Sequence, residues 1–271
     1  MKTVVVTGAT SGIGRATALD LATHGFHVIG TARSMAKAER LVSAAAERGH
    51  SLRTVLLDIT NPDSCRDAVA EIADLTGGSA WAWVNNAGVA AAGAFEDLDE
   101  ADARAVLEAN LLGTARMTRL VLPGMRQRGE GRIIQMSSIA GVFPLPYLGW
   151  YCAAKHGLEA LTDALRVEIT GSGIHLSLIE PGFINTPMVT DALARLPAHS
   201  RYAKGYERSQ RIITGRRPQQ PEAVARTVRR ALTARRPHHR YRTGWEASLT
   251  RLLRLAPSSA ADAVMRTLLR P

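Results

Sequence analysis

The chain has 271 residues, 46% of them hydrophobic and 21% charged, with a mean hydropathy of -0.05. These values are those of an ordinary globular protein and exclude disorder over most of the length. The net charge of +10 is unevenly spread, since residues 1–200 carry 17 Lys+Arg and 20 Asp+Glu whereas residues 201–271 carry 17 and 4. Only Lys2, Lys37, Lys155 and Lys204 among the basic residues are lysines, so an arginine-favouring composition accounts for part of the basic tail. Cys65 and Cys152 have no Cys-x-x-Cys or Cys/His cluster near them, which argues against a disulfide framework, a zinc site or any other metal site. The opening MKTVVVTGAT is too short in apolar residues for a signal-peptide core, and no stretch approaches the ~20 apolar residues of a membrane span, so a cytoplasmic protein is expected.

In chain order, the first strand is predicted at Thr3 to Thr7 and is followed at once by TGATSGIG, Thr7 to Gly14, and a helical pattern near 13–24. Strand, glycine-rich turn and helix in that order make a seat for a dinucleotide pyrophosphate. Gly8 permits the tight turn, Gly12 the approach of backbone to phosphate and Gly14 close packing of helix on strand, and the helix N-terminus offers free N–H groups. A second strand, His27 to Thr31, ends in Ala32-Arg33-Ser34, with no carboxylate to hold a ribose 2′-hydroxyl. The always-charged Arg33 guanidinium beside the Ser34 hydroxyl suits a 2′-phosphate, which favours NADP(H).

A helix near 35–48 leads to a third strand, Leu52 to Leu57, closed by Asp58, which is read as meeting the adenine edge or capping the next turn. After a helix near 62–75 comes a fourth strand, Trp81 to Val84, and then Asn85-Asn86-Ala87-Gly88. One long helix is predicted over 99–127, with Asn110 inside it, and a fifth strand, Arg132 to Met136, is followed by Ser137 and Ser138. Nearly continuous apolar strands alternating with helices argue a parallel sheet covered on both faces, a doubly wound α/β unit. Its ligands bind beyond the carboxyl ends of the strands, where the polar signatures fall.

Tyr151-Cys152-Ala153-Ala154-Lys155 opens a helix near 152–170. A tyrosine and a lysine four apart share one helix face, and a nearby ammonium, helped by an oxidised nicotinamide ring, lowers a phenol pKa of ~10 toward the working range. Cys152 reads as a small buried thiol rather than a redox switch, and His156 as structural. A sixth strand, Ile174 to Ile179, precedes Pro181-Gly182 and Thr186. Beyond a Pro-, Gly-, Arg- and Tyr-rich stretch at 183–217 lie a helix from Pro221 to Ala234, a strand at Arg240 to Thr243, and amphipathic segments near 246–255 and 259–269.

Together these motifs resemble the short-chain dehydrogenase/reductase family. TGxxxGxG stands at Thr7 to Gly14, NNAG at Asn85 to Gly88, the helix asparagine at Asn110, the serine at Ser138, YxxxK at 151 to 155, and PG with its following threonine at 181 to 186, in order and spacing from residue 3 to about 188. The resemblance implies a Rossmann-type fold with a seven-stranded parallel sheet, in a single domain over 1–245 that includes a substrate lid at 183–217, with a basic extension at 246–271. It implies Tyr151 as general acid/base, Ser138 (with Ser137 as competitor) as orienter of the substrate oxygen, Lys155 on the nicotinamide ribose and Asn110 as holder of a relay water. The cofactor contacts it implies are Gly8, Thr10, Ser11, Gly12, Ile13, Gly14, Arg33, Ser34, Asp58, Ile59, Asn86, Ala87, Gly88, Tyr151, Lys155, Pro181, Gly182, Ile184 and Thr186.

An apolar substrate pocket is expected from Val142, Phe143, Leu145 and Trp150 on one side and Met188, Leu193, Leu196, Tyr202 and Tyr206 on the other, so a hydrophobic ketone, aldehyde or secondary alcohol is the expected substrate. GTARS, YCAAK, EPGFINTP and the basic extension look like the hydroxysteroid and retinol dehydrogenase-like subset. The alternative is a reductase of a carrier- or CoA-bound β-ketoacyl thioester, whose acidic carrier a basic surface would receive. A third reading is a dinucleotide-sensing protein without turnover. The resemblance further implies a homodimer or homotetramer. Arg251 and Arg254 beside a leucine-rich face are expected to pack on the same protein, with contact to a membrane surface as the alternative. No nucleic-acid partner is expected.

Overall fold

The computed structural model describes residues 1–215, 218–254 and 256–269; Arg216 and Arg217 of the expected lid, Leu255, Arg270 and Pro271, and the side chains of Thr214, Arg251, Leu252, Leu268 and Leu269 lie outside the description. Seven parallel strands form one sheet in the order β3-β2-β1-β4-β5-β6-β7. They are β1 (Thr3–Val6), β2 (His27–Ala32), β3 (Arg53–Leu56), β4 (Ala82–Asn85), β5 (Gly131–Met136), β6 (Ile174–Pro181) and β7 (Arg240–Thr243). The order reverses between β1 and β4, which pair in register from Val4 with Ala82 to Val6 with Val84. A crevice opens there beyond the strand ends.

Alternation along β1 divides the core. Val4 and Val6 pack with α1 (Gly12–Thr23), α2 (Met35–Ala46) and α9 (Pro221–Thr233) on one face. Val5 packs with α3 (Pro62–Thr76), α5 (Thr114–Arg128) and the end of α6 (Gly149–Glu168) on the other. Because both faces are covered, the central strands β1 (TVVV) and β4 (AWVN) are apolar at all but one position each.

The long helix expected over 99–127 is not continuous. It runs as α4 (Glu100–Leu107), a π-helical turn (Glu108–Gly113) and α5. π turns inside helices frequently mark functional sites, and this one carries Asn110. The stretch at 183–217 contains α7 (Pro187–Ala194) and α8 (Ala203–Gly215), and the extension forms α10 (Trp245–Arg254) and α11 (Ser258–Leu269). Ala247 and Thr250 of α10 are buried, and α10 packs on β7. Part of the basic tail is internally neutralised: Arg240 pairs with Glu159, Asp163 and Glu180, and Arg242 with Glu180. Among the described residues no helix is long and apolar enough to cross a membrane.

Candidate active site

The glycine turn is held from two sides. Thr7 Oγ1 accepts from the backbone N–H groups of Asn86 and Ala87, both at 2.9 Å, and Asn86 Nδ2 donates to the carbonyls of Thr7 at 2.9 Å and Gly8 at 3.3 Å. The Gly8 N–H donates to Thr31 Oγ1 at 3.2 Å. Gly8 and Gly12 have φ of +62° and +49°, where side chains are disfavoured. NNAG and the second strand therefore set the shape of the turn that precedes the α1 N-terminus.

A cleft of about 300 Å³ runs from this turn across the strand ends. Of the sequence-predicted cofactor contacts it brings together Gly8, Thr10, Ser11, Gly12, Ile13, Arg33, Asp58, Ile59, Asn86, Ala87, Gly88, Tyr151, Lys155, Pro181, Gly182, Ile184 and Thr186, with Asn110 and Ser138. Gly14 and Ser34 are not on its wall. Gly14 is buried beneath the turn, against the Gly8 carbonyl and Asn86. Ser34 is exposed at the N-cap of α2. Asp58 takes the capping role: its Oδ1 accepts from the Thr60 N–H at 2.9 Å and hydroxyl at 2.7 Å. Those bonds, with the Arg33 charge, hold its carboxyl below the usual range against the opposing effect of burial.

At the other end, the first two turns of α6 present Tyr151 and Lys155. The Lys155 ammonium, only 5% exposed, lies 5.6 Å from the Tyr151 ring centroid and donates to the Met136 carbonyl at 2.8 Å. Ser138 N-caps a short 3₁₀ turn, its Oγ accepting from the Ala140 N–H at 3.2 Å, and its hydroxyl faces the Tyr151 phenol. Ser137 Oγ is buried without a partner and is not among the groups acting on the phenol, which favours Ser138 of the two serines as the one facing it. Asn110 Nδ2 donates to the carbonyls of Val89 at 2.7 Å and Val106 at 2.9 Å. Its Oδ1 is buried without a partner, as is Thr186 Oγ1. Both are buried polar atoms without partners beside the cleft, the first an acceptor and the second a hydroxyl that can donate or accept, where a water or ligand would be held.

In the protein alone, burial and not Lys155 dominates the phenol pKa. Burial pushes Tyr151 up to about 12 despite the Ser138 hydroxyl, and it pulls Lys155 down to about 8 against the nearby Glu159 carboxylate. Desolvation disfavours both charged forms and outweighs an ammonium held at this separation. Tyr151 is thus a neutral phenol at neutral pH, the form that donates a proton. Carbonyl reduction is expected to vary little between pH 6 and 8, whereas alcohol oxidation, which needs the phenolate, should rise by up to about tenfold per unit. Initial rates in both directions across that range check this.

The substrate pocket differs from expectation. Leu145, Met188 and Leu193 line the cleft, but Val142, Phe143 and Trp150 do not. The first two are buried and, with Leu145, face a separate cavity of about 550 Å³ under α10 and α11. Trp150 stacks outside on Phe95 at 5.6 Å. Leu196, Tyr202 and Tyr206 are also off the wall. Residues missed from sequence include Lys37, Thr60, Val89, Leu148 and Ile213, all on the cleft. Lys37 lies in the first turn of α2, just after Arg33, which itself precedes the Ser34 N-cap. Cys152 is a buried thiol pushed up by burial, within 3.3 Å of the Leu145 N–H, and His156 Nδ1 is bonded to the Cys152 carbonyl at 2.9 Å, so neither faces the cleft.

With this geometry in place the relatives are informative. The short chain dehydrogenase family matches residues 2–196. The uncharacterized oxidoreductase YbbO of Escherichia coli (strain K12) is 35% identical over 98% of this chain and 94% of its own length. Retinol dehydrogenase 5 of Homo sapiens is 36% identical over 97% and 87%. A short-chain dehydrogenase from Streptomyces avermitilis superposes with a TM-score of 0.82 at 31% identity, covering 98% of this chain and 95% of that one. A short chain dehydrogenase/reductase from Burkholderia phymatum, solved in complex with NAD, gives 0.81 at 26% over 93% and 92%. A variant actinorhodin polyketide ketoreductase solved with NADPH gives 0.74 at 32% over 84% and 88%. The chain belongs to the short-chain dehydrogenase/reductase family and is an oxidoreductase.

Proposed function

We propose that the protein interconverts a hydrophobic ketone or aldehyde and its alcohol with NADP(H). The observation that carries this reading is the convergence of Tyr151, Ser138 and Lys155 at one end of a cleft whose other end is the glycine turn. The cleft fits a dinucleotide: Gly8 and Gly12 open the turn, the α1 N-terminus faces it, and Asn110 Oδ1 and Thr186 Oγ1 lack partners beside it. When bound, the nicotinamide supplies or accepts the hydride. In reduction Tyr151 Oη gives its proton to the substrate oxygen, which Ser138 orients, and Lys155 limits the cost of the charge left on the phenol. Asn110 holds the water that returns a proton from solvent. Leu145, Leu148, Met188, Val189, Leu193 and Ile213 make the far wall apolar, which supports a hydrophobic substrate.

Arg33 and Lys37 support NADP(H) over NAD(H), since two cations flank the adenosine end and no carboxylate follows β2. Arg33→Asp is expected to weaken NADPH by about 10- to 100-fold, the worth of a charge-assisted contact, and NADH by less than about threefold. Fluorescence titration with both cofactors checks this, and equal losses would show that Arg33 does not read the 2′-phosphate. The similarity to a polyketide ketoreductase supports a second reading, a β-ketoacyl thioester substrate. NADPH oxidation with a decalin-type ketone, steroid ketones, retinal and a β-ketoacyl thioester separates the two. Turnover of the thioester alone would replace the first reading by the second.

A further inference from the structure

Among the described residues Tyr147 is the one non-glycine residue with positive φ, at +66°. That conformation is disfavoured for a bulky L side chain by about 1 kcal/mol or more, so the surroundings must impose it. Its carbonyl accepts from the Gly93 N–H at 2.8 Å. Its ring packs edge-on against Tyr206 at 5.0 Å and lies 6.2 Å from Tyr202. The hydroxyl fills the space over Gly205 of α8, where a β-carbon would stand 2.2 Å from it.

Those partners belong to a wider clasp. The buried Tyr206 hydroxyl accepts from the Ala94 N–H at 2.7 Å and donates to Asp97, which also accepts from Ser200, while Tyr202 donates to Glu96. Three segments meet here. The loop at 144–148 puts Leu145 and Leu148 on the cleft, the loop after β4 puts Val89 and Ala92 there, and α8 puts Ile213 there, two turns beyond Gly205. Strain at a single residue is held only when such a meeting over-determines it.

We infer that Tyr147 is a positioning residue that holds the lid helix α8 against the cleft and so sets which carbonyl substrates its apolar walls fit. The substrate part of this rests on the function proposed above; the lid part does not. Gly205→Ala tests it with little risk to folding, because alanine is the better helix residue. The added methyl would meet the Tyr147 hydroxyl at 2.2 Å and its Cζ at 2.9 Å, so Tyr147→Phe, which removes the closer of the two, should be nearly silent alone and restore part of the loss in the double variant. Tyr147→Gly frees the backbone of strain and deletes the ring.

Amide hydrogen exchange, read on the NADPH-loaded protein, should quicken about tenfold or more over 203–215 in Gly205→Ala and Tyr147→Gly, with the central strands unchanged. With a decalin-type ketone the KM should rise about fivefold or more while kcat changes less than about twofold, and the double variant should recover in part. Unchanged exchange in α8 in both variants overturns the inference, and so does faster exchange with an unchanged KM. If the unaltered protein reduces no carbonyl, the proposed function fails, and the exchange data alone decide whether Tyr147 holds the lid.

Discussion

Tyr151→Phe is expected to lower turnover by about 10²- to 10⁴-fold and to leave the affinity for NADPH within about twofold. The ring and its packing survive this change, so what is lost is one hydroxyl that faces Ser138 at the cleft end. Without it the group placed to give a proton to the developing alkoxide is gone, and the Lys155 ammonium lies back from it, 5.6 Å from the Tyr151 ring centroid with one N–H on the Met136 carbonyl. Steady-state rates with a cofactor titration on the same preparation check both halves. Appreciable remaining activity would remove Tyr151 from the acid/base role, whereas tight NADPH binding without turnover in both proteins would favour the dinucleotide-sensing reading.

The second large effect is expected at the glycine turn, from a residue that does not touch the cleft. A methyl on Gly14 would stand 2.2 Å from the Gly8 carbonyl oxygen and 2.4 Å from Asn86 Nδ2. Neither group can yield cheaply. Gly8 is held by Thr31 and Asn86 by Thr7, so the strain passes into the turn that shapes the cofactor seat. Gly14→Ala is expected to weaken NADPH about 100-fold, equivalent to about 3 kcal/mol of misfit. Gly149→Ala, where nothing lies within 4 Å of the added carbon, is the control and should bind normally. Calorimetric titration of the two variants checks this, and equal affinities would show that the turn tolerates the shift.

Much of this was legible in the sequence because strand-to-turn-to-helix order is a local signal. The predicted strands at Thr3, His27, Arg132, Ile174 and Arg240 coincide within a residue or two with β1, β2, β5, β6 and β7. The residues after them fall on one cleft because parallel strands bring their carboxyl ends to one edge. The π turn was not legible. Its composition, EANLLG, suits an α-helix, and what accompanies it is tertiary: a carbon on Gly113 would stand 2.7 Å from the Ile59 carbonyl oxygen. Tyr202 and Tyr206 look like pocket aromatics until their hydroxyls are seen to bond Glu96, Ala94 and Asp97, more than 100 residues away. Val142 and Phe143 were misplaced for a related reason, because nothing local shows that the chain after Ser138 turns their side chains toward α10 and α11 rather than toward the cleft. The phenol pKa was the subtlest miss. Helical spacing brought the lysine close, but burial, which spacing does not report, acts more strongly on Tyr151.

The central claim is direct hydride transfer completed by a proton from Tyr151, and isotopic labelling tests it most directly. The protein is incubated with NADPH carrying deuterium at the transferring position of C4 and with each ketone, aldehyde and thioester of the panel, and the alcohol is analysed by mass spectrometry. The expected result is one deuterium on the carbinol carbon and none acquired there from deuterated water, with product formation lost in Tyr151→Phe. An unlabelled carbinol carbon, or the same labelled alcohol formed at the same rate by Tyr151→Phe, would contradict it.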